Sequence, residues 1–279
     1  MIIDGTDIRT LGMFILRGGS NDFLSFPERR EPDTNDWAEY DGLEVDFEDL
    51  SYNPKKISVQ LYISAPDTTT FNQRLNAFQT LNNQQGYRQV FVKEFNRTFL
   101  LRYLGCADYK HKGGLATSGK KSGRLTVEYM MDNPLQLFST QEAPVGNKTT
   151  HVKLGELDLG QYGIIVKEIY STALNPGMRK PVLERSIKNI SGISADVSFV
   201  PKKQALQTTI DCVMIADTLQ DFYTNYNALF GLLNMPVPIA LSTHSANYQC
   251  YYKSMSGFTK ETAFSRKVRV SFQLNLQTI

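Results

Sequence analysis

The sequence predicts a mainly β (α+β) protein made of two tandem, duplicated β-sandwich or split-barrel domains, each with one flanking helix. Three observations predict it. First, the chain repeats itself: at an offset of 151 positions Asp7, Ile8, Leu11 and Gly12 fall on Asp158, Leu159, Tyr162 and Gly163. Second, the same offset lays the alternating stretch Val59, Leu61, Ile63, Ala65 on Ile210, Cys212, Met214, Ala216. Third, it lays the helical pattern Phe71, Leu75, Asn76, Ala77, Phe78 on Phe222, Tyr226, Asn227, Ala228, Leu229. A repeat this long is a duplicated domain; solenoid periods run about 20–50 residues.

In the first copy, Leu11 to Leu16 reads as a strand that Gly18-Gly19 ends. A long loop follows, with Pro27, Pro32 and an acidic stretch around Trp37. Leu43, Val45 and Phe47 alternate with Glu44, Asp46 and Glu48, and Ile57, Val59, Leu61 and Ile63 alternate with polar residues; period two marks half-buried strands. Pro66 and Asp67 open a helix, because an Asp side chain accepts hydrogen bonds from first-turn amides. Phe71, Leu75, Phe78 and Leu81 then share one face, and Gly86 is the expected terminator. Val90 and Val92 lead through a turn at Asn96 into Phe99, Leu101 and Tyr103; after a glycine- and lysine-rich loop, Leu125, Val127, Tyr129 and Met131 close the copy. The helices are expected over residues 67–83 and 217–234.

The second copy repeats the order. Ile164 to Ile169 begins it, Thr208 to Met214 alternates, and Phe222, Tyr226, Leu229 and Leu233 stripe a helix that stops before Pro236. Tyr248, Cys250 and Tyr252 match Phe99, Leu101 and Tyr103; Val268, Val270, Phe272 and Leu274 are matched to the closing strand at an offset of 143. Asp132 to Thr150 connects the copies, with 141–149 as the linker between domains 1–140 and 150–279. A sheet with one apolar face covers it with another sheet or a helix, so each copy is expected to bury a helix on its flank.

Chemistry is sparse. His111, His151 and His244 have no companion at metal-ligand spacing, no phosphate-binding glycine loop or nucleophile-elbow motif is present, and no cofactor or metal is expected. The expectation is a protein without enzymatic activity. A formal net charge of +2 gives no support for nucleic-acid recognition, and no run of 18 apolar residues offers membrane insertion. Cys106, Cys212 and Cys250 are odd in number and far apart, which argues for a soluble protein made in a reducing cytoplasm.

Charge distribution says more. Glu28 to Asp49 holds ten acids and two bases; Arg88 to Arg124 holds nine bases and two acids. Charge runs usually face water or neutralise one another within a domain. The sharper reading sets the acidic loop of Asp33, Asp36, Trp37 and Glu39 against a neighbour's Lys110, Lys112, Lys120 and Lys121, since head-to-tail contacts generate rings. Tyr248, Tyr251, Tyr252 and Phe258 are either core residues or a sugar-stacking platform, with core packing favoured.

The stretch around Trp37 with Tyr40-Asp41-Gly42-Leu43, the strand from Lys56 to Ser64, the helix with Leu75 and Leu81, and the strands through Val90 and Tyr103 together resemble phage distal tail proteins. That family lies within the tail-tube-like group of tube, distal tail and baseplate hub proteins. The resemblance implies a tail-tube-like β fold in a structural virion protein, made in the host cytoplasm and placed in the tail. The repeat makes this two related tail-tube-like β domains, a departure from the many distal tail proteins that join one ring-forming domain to an unrelated C-terminal domain. The resemblance implies a ring in a tail tip or baseplate, as a hexamer or as a trimer with pseudo-sixfold symmetry, beside other tail and baseplate proteins. The alternative is a tandem β-sandwich carbohydrate-binding module on a tail tip or bacterial surface.

Overall fold

The computed structural model describes residues 1–112, 119–138, 143–171, 179–182, 184–195, 198, 200–244, 246–262 and 267–279. Part of the glycine- and lysine-rich loop (113–118) and of the expected linker (141–142) lies outside the described residues. The first unit comprises β1 (Ile2–Ile3), β2 (Thr6–Asp7), β3 (Met13–Ile15), β4 (Thr34–Asn35), β5 (Glu44–Val45), β6 (Lys55–Ala65), α1 (Thr68–Asn82), β7 (Arg88–Val92), β8 (Arg97–Lys112) and β9 (Lys121–Met131). The second comprises β10 (Lys153–Leu154), β11 (Leu157–Asp158), β12 (Ile164–Ser171), β13 (Glu184–Arg185), β14 (Ser194–Ala195), β15 (Gln207–Ala216), α2 (Leu219–Leu233), β16 (Ile239–Ser242), β17 (Asn247–Lys260) and β18 (Val268–Thr278).

Two seven-stranded sheets have the same order, β2-β1-β7-β8-β9-β6-β3 and β11-β10-β16-β17-β18-β15-β12. Every pairing in them is antiparallel. The chain is mainly β, of the sandwich class with flanking helices. The alternation read in β6 is the burial pattern itself: Ile57, Val59, Leu61 and Ile63 are fully buried. Burying each such side chain contributes about 1.5–3 kcal/mol. None of the helices among the described residues is long and apolar enough to cross a membrane.

Three local expectations need correction. Leu11 lies in a short 3-10 turn (Ile8–Leu11), and the strand begins only at Met13, because Gly12 takes a left-handed backbone (φ 64°) that ends the turn. Helix α1 stops at Asn82 with Asn83 as its cap; Gly86 (φ 87°) instead shapes the turn into β7. The closing strands correspond four residues away from the expected match. Leu61 faces Leu125 and the matching Cys212 faces Phe272, so Leu125 corresponds to Phe272 rather than Val268. An even slip keeps every side chain on its face, which is why period two alone did not expose it.

The helix entrances match expectation. Asp67 accepts the Thr70 amide at 2.8 Å, and Thr218 accepts that of Asp221 at 3.0 Å. Phe71 and Phe78 are buried with Leu75 half-buried, and Phe222, Tyr226 and Leu229 are all buried. The helices differ on their outer faces. On α2, Tyr223, Tyr226 and Phe230 are buried too, because the first unit covers them. Phe26 and Phe138 pack on Phe230 at ring-centre distances of 5.0 and 3.9 Å, and Phe26 lies 4.6 Å from Tyr226. Tyr223 and Tyr226 donate to the carbonyls of Phe95 and Leu24 at 2.6 and 2.7 Å, and Arg97 sits 3.7 Å over the Tyr223 ring. The buried apolar residues of both units form one cluster. On α1 the positions matching Tyr223 and Phe230 are Asn72 and Gln79, both exposed.

Candidate functional site

The acidic loop forms a narrow arm. Its two strands pair Thr34 with Val45 and Asn35 with Glu44, and the Asp46 amide donates to the Asp33 carbonyl at 2.9 Å. Trp37 folds back along the arm, its indole N–H donating to Glu44 Oε2 at 2.6 Å. The ring is half exposed, since its nitrogen is served within the arm itself. At the tip Gly42 adopts φ 72° and is buried.

This tip grips the second unit. Lys180, 5% exposed, spends all three ammonium hydrogens on it: 2.7 Å to the Trp37 carbonyl, 2.7 Å to the Gly42 carbonyl and 2.5 Å to Asp36 Oδ1. A buried ammonium is tolerated only when paired and hydrogen-bonded in this way. The Gly42 amide donates to the Lys203 carbonyl at 2.9 Å, and the Lys203 amide donates to Asp41 Oδ1 at 2.6 Å. A Cβ on Gly42 would collide with the main chain of Ile279. Only glycine suits a position that combines positive φ with such close approach.

The arm's base is held as well. The Arg29 amide donates to the Lys253 carbonyl at 2.8 Å, and Lys253 pairs with Glu31 at 3.1 Å. The buried Arg29 guanidinium lies 5.3 Å from the ring centres of both Phe47 and Tyr251, a cation–π arrangement. Burial pulls the Arg29 pKa below its ordinary value, with Tyr52 and Tyr251 opposing the fall.

Of the residues singled out from sequence, Asp36 pairs with Lys180, and Asp33 and Glu39 are exposed on the arm. Lys110 pairs at 3.5 Å with Asp108 of its own strand; Lys112 and Lys120 are exposed, and Lys121 is buried at the start of β9. Other bases of the Arg88–Arg124 segment are neutralised within the first unit: Arg88 by Asp4, Lys93 by Asp7 and Arg102 by Asp132. Sequence reading missed Lys180, Lys203 and Lys253. No pattern in the sequence marks them; the structure relates them to the repeat, since Arg29 bridges Tyr52 as Arg179 bridges Lys203, which makes Lys180 the counterpart of Arg30. Of the proposed sugar platform, Tyr251, Tyr252 and Phe258 are buried and Tyr248 is half-buried. His151 and His244, far apart in sequence, lie with ring centres 4.8 Å apart.

No family model matches the chain, and no curated protein matches it. Among solved structures it bears a weak likeness to the Dit protein of phage SPP1, described as a paradigm of the hub adsorption apparatus in phages that infect Gram-positive bacteria. The TM-score is 0.31 and the identity 17%, over 46% of this chain and 49% of that one.

Proposed function

We propose that the chain is a structural, non-enzymatic virion component that assembles head to tail into a ring in a phage tail tip or baseplate. The observation that carries this reading is the first arm, which reaches out of its own unit to clasp the next unit of the same topology. A unit that holds its successor by a projecting arm is a heterologous contact, the kind that closes into rings. The resemblance of the Trp37 loop and the elements after it to distal tail proteins points the same way. Three chains of two units, or six chains, are the stoichiometries in view, with neighbouring tail and baseplate proteins as further partners. The carbohydrate-binding alternative is less well supported, since Tyr251, Tyr252 and Phe258 of its platform are buried.

Light scattering and negative-stain imaging over a concentration series test the proposal. Rings of three or six chains are expected. Assembly should weaken at high salt and on charge reversal of the exposed Lys110, Lys112 and Lys120, because exposed charges are screened beyond about 8–10 Å near physiological ionic strength. A protein that remains monomeric at high concentration, alone and with neighbouring tail proteins, rejects the ring.

A further inference from the structure

The chain has two arms, and among the described residues the tip of the first is packed on the other unit while the apolar tip residues of the second are exposed. The second arm pairs Glu184 with Ala195 and Arg185 with Ser194 and has the same turn pattern as the first. Its tip repeats the apolar positions of the first: Ile187 for Trp37, Ile190 for Tyr40, Ile193 for Leu43, with Gly192 (φ 98°) for Gly42. Their surroundings are opposite. Gly42 is buried beneath Ile279, whereas a Cβ on Gly192 would meet nothing within 4 Å. Ile190 and Ile193 are 63% and 65% exposed.

We infer that the second arm of one copy docks on the first unit of a second copy of this chain, in the manner of the first arm on the second unit. The inference rests on the self-assembly reading above and names its contact. The receiving surface follows from the repeat. Arg30 takes the place of Lys180. Leu104 takes that of Lys253, since β8 and β17 each carry a register shift there, after Tyr103 and after Tyr252.

The chemistry of the two junctions changes in step. Within the chain, Glu31 at the base of the first arm pairs with Lys253. Between chains the matched residues are Pro181 and Leu104, both uncharged and both exposed, Leu104 by 41%. An ion pair on one side thus becomes an apolar pair on the other. The units make the same kind of joint exchange inside their cores, where Tyr129 donates to Asn82 at 2.6 Å and the matched residues are Leu276 and Leu233. The exposed Leu104 and the exposed apolar tip of the second arm are complementary to each other. The matched helix face carries Asn72 and Gln79 in place of Tyr223 and Phe230, so the junction between chains lacks the aromatic packing of the one within. It rests mainly on the arm and depends on concentration.

Sedimentation and light scattering over a concentration series, with melting temperature as the folding control, test the inference on the full chain. Ile190→Asp with Ile193→Asp should weaken self-association about ten- to hundredfold, the effect of losing buried apolar side chains from a contact, without lowering the melting temperature. Leu104→Lys should weaken it as well. Combining Leu104→Lys with Pro181→Glu recreates between chains the pair seen at Glu31 and Lys253, and should restore association. If the wild type assembles and these variants assemble equally well, the arm contact is wrong and the ring stands on another surface. A wild type that never self-associates overturns both.

Discussion

Matched residues of the two units do the same structural work by different chemistry. Asp7 and Asp158 each cap a 3-10 turn that ends at a left-handed glycine, Gly12 or Gly163. A Cβ on either glycine would lie 2.6 or 2.7 Å from a carbonyl oxygen, of Ser64 or of the matching Ile215, which explains why the glycine stands in both copies. Hydrogen bonds from Arg9 and Lys93 hold the Asp7 carboxyl well below its usual range. Around Asp158 burial opposes the shift, but bonds from Gly160, Thr150 and His151 outweigh it and lower the pKa. Lys55 carries a testable pH dependence. Its ammonium is enclosed by the carbonyls of Phe23 and Ser25, and burial pushes its pKa down to about 7, with Asp22 opposing the fall. An unfolded lysine keeps its proton to about 10.5. Between those values the unfolded chain binds the extra proton, so stability should rise with pH from about 7 upward and lose this gain below it. Melting at pH 7 and pH 9 should show a rise that Lys55→Met abolishes; equal slopes in the two proteins would refute the assignment.

At the scale of elements, the helices show how one pattern serves two surroundings. Both α1 and α2 bury one face on their own sheet through Phe71 and Phe78, or Phe222 and Leu229. Only α2 is sandwiched, since Phe26, Phe138 and Tyr52 of the first unit close over it. The Tyr129–Asn82 bond beneath α1 is buried on both sides. Tyr129→Phe should cost about 1–3 kcal/mol by orphaning the Asn82 oxygen, and adding Asn82→Leu should recover part of it, because removing both polar partners is far milder than removing one. Chemical denaturation of the two single variants and the double variant measures the coupling. Strictly additive costs would show that the bond contributes nothing.

For the whole molecule, the first arm joins two similar sheets into one body. Lys180 is the centre of that joint, so Lys180→Met leaves the Gly42 carbonyl and Asp36 without this donor, while the Trp37 carbonyl keeps only the Tyr40 amide at 3.3 Å. A cost of about 1–3 kcal/mol is expected, discounted from a fully buried pair because Asp36 remains half exposed. Hydrogen exchange at the Gly42 amide should quicken sharply while β6 and β9 keep their protection. Unchanged exchange at Gly42 would mean that the arm is held without Lys180.

The sequence by itself determined the long strands β6, β9, β15 and β18, the two helices, their inward faces and the repeat that relates Asp7 to Asp158 and Phe71 to Phe222, because burial periodicity and caps are written in neighbouring residues; the two-residue strands such as β1 and β10 are too short to show a period. The sequence also set Asp36 and Trp37 in an acidic loop expected to meet a neighbouring subunit, and in the structure that loop meets Lys180 of the same chain. Tertiary structure alone decided what that loop touches. Lys180, Lys203 and Ile279 lie far along the chain from Asp36 and Gly42, and no local pattern links them. The register of the closing strand was likewise settled only by pairing, because a slip of four residues preserves every buried face and is invisible to alternation. The outer face of α2 became core for the same reason. Tyr223 and Phe230 lie outside the stripe of Phe222, Tyr226, Leu229 and Leu233, and the surface that covers them comes from the other unit.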